Sequence, residues 1–172
     1  MTRMGIGFDI HAVASGRPLM LGCVHIEDAP LGLAGHSDAD AVSHAVCDAL
    51  LGAAALGDIG EHFPDSDEQW KDAPGSTFLA HVAQMVRGLG YEIVNIDCTV
   101  LADIVHLGDR KRDMAAEMAR HLGVSAGQVN VKATTFEGKG AIGRGEAIAC
   151  EAIAVLERAG SDRMGEWQES VI

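Results

Sequence analysis

The stretch AIACEAIAVL, residues 147–156, decides the fold, because it can be read in two ways. Its Ala, Leu and Glu residues suit a helix. Ile148, Ile153 and Val155 are β-branched, and a Gly-rich run ends just before it at Gly145. The segment is apolar on both faces of a two-residue alternation except at Glu151, as a strand flanked by other strands is. We read it as the central strand of a sheet.

The neighbours follow from periodicity. VNIDCTV, residues 94–100, sets Val94, Ile96, Cys98 and Val100 on one face and Asn95, Asp97 and Thr99 on the other. QVNVKAT, residues 128–134, alternates likewise. Between them, Met114, Met118 and Leu122 form one face of a helix over 109–122, stopped by Gly123. Phe78, Leu79, Val82, Val86 and Leu89 stripe a helix over 76–89, and Val42, Val46 and Leu50 one over 38–56. Residues 2–12 and 19–26 read as two strands joined by a turn at Ser15–Pro18, an N-terminal hairpin. The order implies an α+β domain: a single-layer mixed four-stranded sheet with helices on one face, plus that hairpin. The other sheet face then needs cover, which subunit association provides. Residues 1–159 form the domain, and 160–172 a polar tail containing Trp167.

Composition narrows the function. The chain has 172 residues and a net charge of −12, which excludes nucleic acid as the expected partner. No apolar run reaches membrane-spanning length and the N-terminus lacks a secretory signal, so a cytoplasmic protein without a membrane partner is expected. The four cysteines, Cys23, Cys47, Cys98 and Cys150, lie far apart and read as buried thiols.

Three segments carry chemistry. In GFDIH, residues 7–11, Asp9 and His11 point to one face of a strand about 6.5 Å apart. In GHSDADAVSH, residues 35–44, Ser37 and Asp40 have capping-box spacing, and His36 and Ser37 precede a helix N-terminus suited to a phosphate. His44 shares a helix face with Asp40 and Asp48, candidate acceptors for its second nitrogen. Together Asp9, His11 and His44 make a catalytic-type site with one open position, fit for zinc or ferrous iron alike. In KATTFEGKGAIGRGE, residues 132–146, hydroxyls, glycine amides and cations can wrap a diphosphate, with Glu137 on its magnesium. Read singly, each of these segments also has an ordinary structural use: a polar strand end, a cap, a turn.

GFDIH, HSDADAVSHAVCDALLGAAALGDIGEHFPDSD (residues 36–67), VNVKATT-x-EG (129–138) and GRGEAIACEA (143–152) resemble the 2-C-methyl-D-erythritol 2,4-cyclodiphosphate synthase family of non-mevalonate isoprenoid biosynthesis. The resemblance runs from about Met4 to Leu156. It implies a lyase that cyclises 4-diphosphocytidyl-2-C-methyl-D-erythritol 2-phosphate and releases CMP. It implies a homotrimer with active sites between subunits, Zn2+ on Asp9, His11 and His44, and Mg2+ or Mn2+ on Glu137 with the substrate diphosphate. His36 and Thr135 match residues that support the transition state. Ser37, Asp58, Ile59, Gly60, Phe63, Pro64, Asp65, Ser66 and Asp67 match the methylerythritol side, giving the long connection 57–75 a role. Ala102, His106, Leu107, Thr134, Phe136, Ala141 and Arg144 match the cytidine and phosphate side. The chain departs from the family at Val105 and His106, where a Pro-Lys pair is usual, and at Ile6, Phe136 and Ala141. Two other functions fit some of these residues: a catalytically silent metal-binding trimer that holds a nucleotide or partner protein, and a metal-dependent hydrolase.

Overall fold

The computed structural model describes residues 1–160, so the expectation for the tail containing Trp167 lies outside the described residues. The strands are β1 (Thr2–Ala14), β2 (Met20–Leu21), β3 (Val24–His25), β4 (Gly32–Leu33), β5 (Tyr91–Leu101), β6 (Val129–Thr134) and β7 (Ala147–Arg158). The helices are α1 (Ala41–Ala54), α2 (Ile59–His62), α3 (Gly75–Gly88), α4 (Arg110–Leu122) and α5 (Gly140–Gly143). The main sheet runs β4-β1-β7-β5-β6, with β5 and β6 parallel and the remaining pairs antiparallel. Residues 147–156 are therefore strand, and β7 is the centre.

Two expectations need correction. The sheet has five strands, because the two-residue β4 joins β1 at Val13 and Ala14. Residues 19–26 do not pair with β1. They fold on themselves as β2–β3 through Gly22 and Cys23, both at positive φ. The long β1 takes β7 as its partner over residues 2–12, a pairing of distant segments that outcompetes the local turn.

Helices α1, α3 and α4 cover one face: α1 lies on β1 and β7, α3 against α1, and α4 on β6. The striped residues of α3 and α4 are buried as their spacing predicts, except Leu89, which ends α3 and stays exposed. In β5 a bulge between Ile93 and Asn95 shifts the alternation. Ile93 turns inward, and Val94, expected inside, faces solvent. Cys47, Cys98 and Cys150 are buried free thiols, whereas Cys23 is half-buried.

The contact between α1 and β1 is backbone against backbone. A Cβ on Gly5 would stand 2.1 Å from the Ala49 carbonyl oxygen, and one on Gly7 2.0 Å from that of Ala45. Ala45, Ala49 and Ala53 are fully buried, so small residues line both sides. On the other face Met4, Ile6, Phe8 and Ile10 of β1 and Ile153 of β7 are exposed. Among the described residues only the one-turn α5 sits there, with Ile142 against Leu101, Ala147 and Ala149.

Gly7→Ala must push α1 off the sheet and is expected to destabilise the fold by about 2–3 kcal/mol. Gly88→Ala, with open space around it, should leave stability unchanged or slightly raised. Thermal unfolding of both variants checks this contrast.

Candidate active site

The close approach of α1 to β1 brings His44 over the end of the Gly5–Gly7–Asp9–His11 row. The His11 Nε2 and Asp9 Oδ2 atoms are 2.8 Å apart, His44 Nδ1 and Asp9 Oδ2 3.2 Å, and the two nitrogens 3.3 Å. Ligands about 2.0–2.1 Å from a tetrahedral metal stand about 3.3 Å from each other, so the donor set fits a divalent ion. The outer nitrogens are also held. His11 Nδ1 lies 2.8 Å from the Ala34 carbonyl, to which it donates, so Nε2 carries the lone pair that a metal needs. His44 Nε2 lies 3.3 Å from the Ser37 hydroxyl.

The electrostatics favour positive charge at this point. Burial pushes the Asp9 carboxyl up, but hydrogen bonds from His11 and His44 outweigh it and hold Asp9 far below the usual carboxylate range. Burial pushes His11 down, and its hydrogen bond to Asp9 more than reverses that.

The surrounding loops differ from expectation in three ways. Asp40 alone is the N-cap of α1, accepting from the Val42 and Ser43 amides, and no capping box with Ser37 forms. Those two amides are thus filled by a carboxylate rather than offered to an anion. Neither Asp40 nor Asp48 serves His44. Asp48, raised by burial, instead accepts from the Ile59 amide at 2.8 Å and anchors the start of α2. The 57–75 connection is not structureless: it holds α2 and a single 3-10 turn over Glu68–Trp70.

This connection roofs a cavity of about 400 Å3 lined by Asp9, His11, Gly35, His36, Ser37, His44, Ile59, Gly60, Phe63, Pro64, Asp65, Trp70 and Phe78. Phe63 packs edge-on to both Trp70 and Phe78, with centroids 5.0 Å apart in each case, and Phe78 meets His44 at 5.6 Å. An apolar wall thus runs from the roof to a candidate ligand. Asp58 caps α2, and Asp67 offers its carbonyl to His36 Nε2 at 3.3 Å. Ser66 lies between the pocket residue Asp65 and Asp67.

Ala102, His106, Leu107, Thr134 and Thr135 line a second cavity, of about 160 Å3, with Val105, Gly108, Lys111 and Ala133. Thr135 donates to Glu137 at 2.9 Å, and Glu137 holds a left-handed φ of 50°. Neither Glu137 nor the exposed Phe136 lines either of these two cavities. Ala141 lies in α5, and Arg144 makes a two-pronged pair with Glu146 at 2.8 and 2.9 Å, apart from both cavities.

The structure does not bring the two cavities together within one chain. Asp9 is level with Cys150, Val100 and Ala133 across the sheet, about 14 Å over three strand spacings. Thr134 is level with Leu101, Ala149 and Ile10, and so belongs to the opposite face.

Sequence reasoning missed several supports. The Arg17 guanidinium donates to the carbonyls of Gly35 and Ser37, fixing the segment between the strand and helix ligands. Asp103 accepts from the Phe136 and Gly138 amides at 2.7 and 3.2 Å and so holds the turn carrying Glu137. Trp70 and Phe78 are pocket walls. Phe78 had been legible only as part of an apolar stripe, and no local pattern marks Arg17 or Asp103.

A single mixed sheet with helices on one face, and an Asp-His-His cluster where the first helix crosses the first strand, defines a small α+β protein with a candidate metal site. The YgbB family profile matches residues 2–157, and the chain belongs to this family. It is 50% identical over 165 residues to the 2-C-methyl-D-erythritol 2,4-cyclodiphosphate synthase of Desulfosudis oleivorans, covering 95% of this chain and 98% of that protein. The bifunctional IspDF of Campylobacter jejuni superposes with a TM-score of 0.88 at 41% identity, over 92% of this chain and 42% of that longer one. The IspF of Plasmodium falciparum, solved as a CDP complex, superposes with a TM-score of 0.81 at 29% identity, over 92% of this chain and 97% of that one.

His44→Ala is expected to lose bound divalent metal while keeping its fold, since the ring contributes no strand pairing. Elemental analysis with circular dichroism checks this: metal retained at wild-type stoichiometry in a folded variant refutes His44 as a ligand.

Proposed function

We propose that this protein converts 4-diphosphocytidyl-2-C-methyl-D-erythritol 2-phosphate to 2-C-methyl-D-erythritol 2,4-cyclodiphosphate and CMP, within non-mevalonate isoprenoid biosynthesis. The observation that carries this reading is the Asp9–His11–His44 cluster opening into the roofed pocket, in a chain half identical to a synthase of that name. An oxygen of the 2-phosphate forms a bond to the β-phosphorus. The bond from that phosphorus to the bridging oxygen breaks, and CMP leaves with the oxygen.

Both reacting groups are anions, so their approach is the obstacle. Asp9, His11 and His44 would hold Zn2+, and Glu137 would hold Mg2+ or Mn2+ with the diphosphate, ions whose charge would offset this repulsion. The protein contributes position. Ile59, Phe63 and Pro64 pack the carbon skeleton and exclude water. Asp58, Gly60, Asp65, Ser66 and Asp67 hold its hydroxyls, and Ser37 and His36 meet its phosphate. Thr135 and His36 donate to oxygens that gain charge in the transition state. Ala102 and Leu107 seat the cytosine beside His106 and Thr134, and Phe136, Ala141 and Arg144 flank the nucleotide side.

Within one chain the metal cluster and the Ala133 edge of the nucleotide cavity lie in two separate pockets, about 14 Å apart across the sheet. A homotrimer answers this, with one subunit's metal cluster facing the nucleotide cavity of its neighbour. The same assembly covers Met4, Ile6, Phe8 and Ile10, which are exposed among the described residues. Among the described residues no helix is long and apolar enough to cross a membrane.

Phosphorus NMR of protein, substrate, zinc and magnesium should show CMP and cyclic diphosphate rising together. Absence of the cyclic product with folded, metal-loaded protein would refute this function. Ile6→Lys puts a charge on the bare face without touching either cavity. Sedimentation should show its trimer dissociating, and cyclisation should fall at least a hundredfold while metal content is kept.

A further inference from the structure

The nucleotide cavity contains one cation that the fold itself does not use. Lys111, in the first turn of α4, lines it together with Ala102, Leu107 and Thr134. Its neighbour Arg110 pairs with Asp28, and Lys132 on β6 pairs with Asp97. Lys111 has no such partner among the described residues, although it is half-buried. A lysine in the first helical turn also meets the positive end of the helix dipole. Asp109 and Asp113 flank it in the same turn, but neither forms an ion pair with it among the described residues, so its charge is left unpaired.

An incoming anion supplies a partner. The chain carries 13 Lys and Arg against 25 Asp and Glu, so its overall field repels a phosphorylated ligand and a local cation decides where one settles. Ala102 and Leu107 are buried and give an apolar floor on which a flat ring can lie. The hydroxyls of Thr134 and Thr135 border the same cavity, and Thr135 leads to Glu137. His106, the other basic side chain at this rim, is exposed.

We propose that Lys111 is a specificity-determining residue of this site, its ammonium pairing with a phosphoryl oxygen of the nucleotide whose base lies on Ala102 and Leu107. The inference rests on the nucleotide-binding reading above. It makes the site select for the phosphates of the ligand through a residue of α4, beyond the loop and strand residues that form the rest of the cavity.

Titration calorimetry with CDP and magnesium tests it on the assembled protein. Lys111→Met keeps the length of the side chain and removes its charge, and should weaken CDP binding about tenfold or more, as loss of a charge-assisted hydrogen bond does. Lys111→Arg should restore affinity to within about threefold of wild type. Arg112→Met makes the same change in net charge at an exposed neighbour and should leave affinity within about twofold. CDP binding by Lys111→Met as tight as wild type, or equal weakening by Lys111→Met and Arg112→Met, overturns the proposal. Wild-type protein that binds no CDP overturns the nucleotide reading itself, which separates the two failures.

Discussion

The contact of α1 on β1 at Gly5 and Gly7 sets the distances on which the site depends. Side chains on one face of β1 recur every second residue, so Gly5, Gly7, Asp9 and His11 form a row. The first two have no side chain, and the helix backbone descends into the space: Ala49 and Ala53 over Gly5, Ala45 and Ala49 over Gly7. One step further along both elements, the row changes from small residues to ligands, with His44 over Asp9 and His11. A larger residue in the row would lift the helix, and the three donor atoms would no longer converge. The packing that stabilises the core is therefore also what fixes the metal geometry.

Asp40 secures the near end of that helix. Its buried carboxylate accepts five hydrogen bonds, from the amides of Gly22, Cys23, Val42 and Ser43 and from the Ser43 hydroxyl. A buried charge is tolerated when it is so fully satisfied, and here it ties the β2–β3 turn to the first turn of α1. Burial and the Asp40 charge push the Cys23 thiol up to about 12, so this half-buried cysteine stays protonated and unreactive. The polar GHSDADAVSH stretch thus divides into parts with different work: Asp40 and Asp38 brace loops, Ser37 orients an imidazole, and His44 faces the site.

What was legible in the sequence was whatever repeats locally. The two-residue alternation with β-branched residues identified β7, and helical spacing identified α3 and α4. Asp9 and His11 were readable as a pair because a strand forces them to one face. The errors arose where a distant segment decides the outcome. Residues 19–26 alternate acceptably as a partner for β1, yet β1 is claimed by β7 and β4. Val94 fits the inward face of β5 by counting, and a bulge set by the pairing with β7 turns it out. His44 had carboxylates at both helical neighbours, yet its second nitrogen goes to Ser37, because Asp40 and Asp48 are spent on backbone amides. Arg17 and Asp103 support candidate site residues from distant parts of the chain and leave no periodic trace.

The two candidate ligand sets differ in chemistry, and this bears on the proposed use of two metals. On the helix-covered face the donors are two imidazole nitrogens and one carboxylate on rigid elements, packed against Phe78. Nitrogen-rich, few-coordinate geometry of this kind suits zinc. Beyond β6 the Glu137 carboxylate accepts from the Thr135 hydroxyl, in a turn held by Asp103. A single carboxylate in an open loop suits a hard ion that keeps most of its ligands as water and phosphate oxygens. In one chain these two sets lie on separate segments, and each would hold its own proposed ion. On the proposed reading, only subunit association brings them to the same substrate, which makes assembly of the bare face a condition for chemistry as well as for stability.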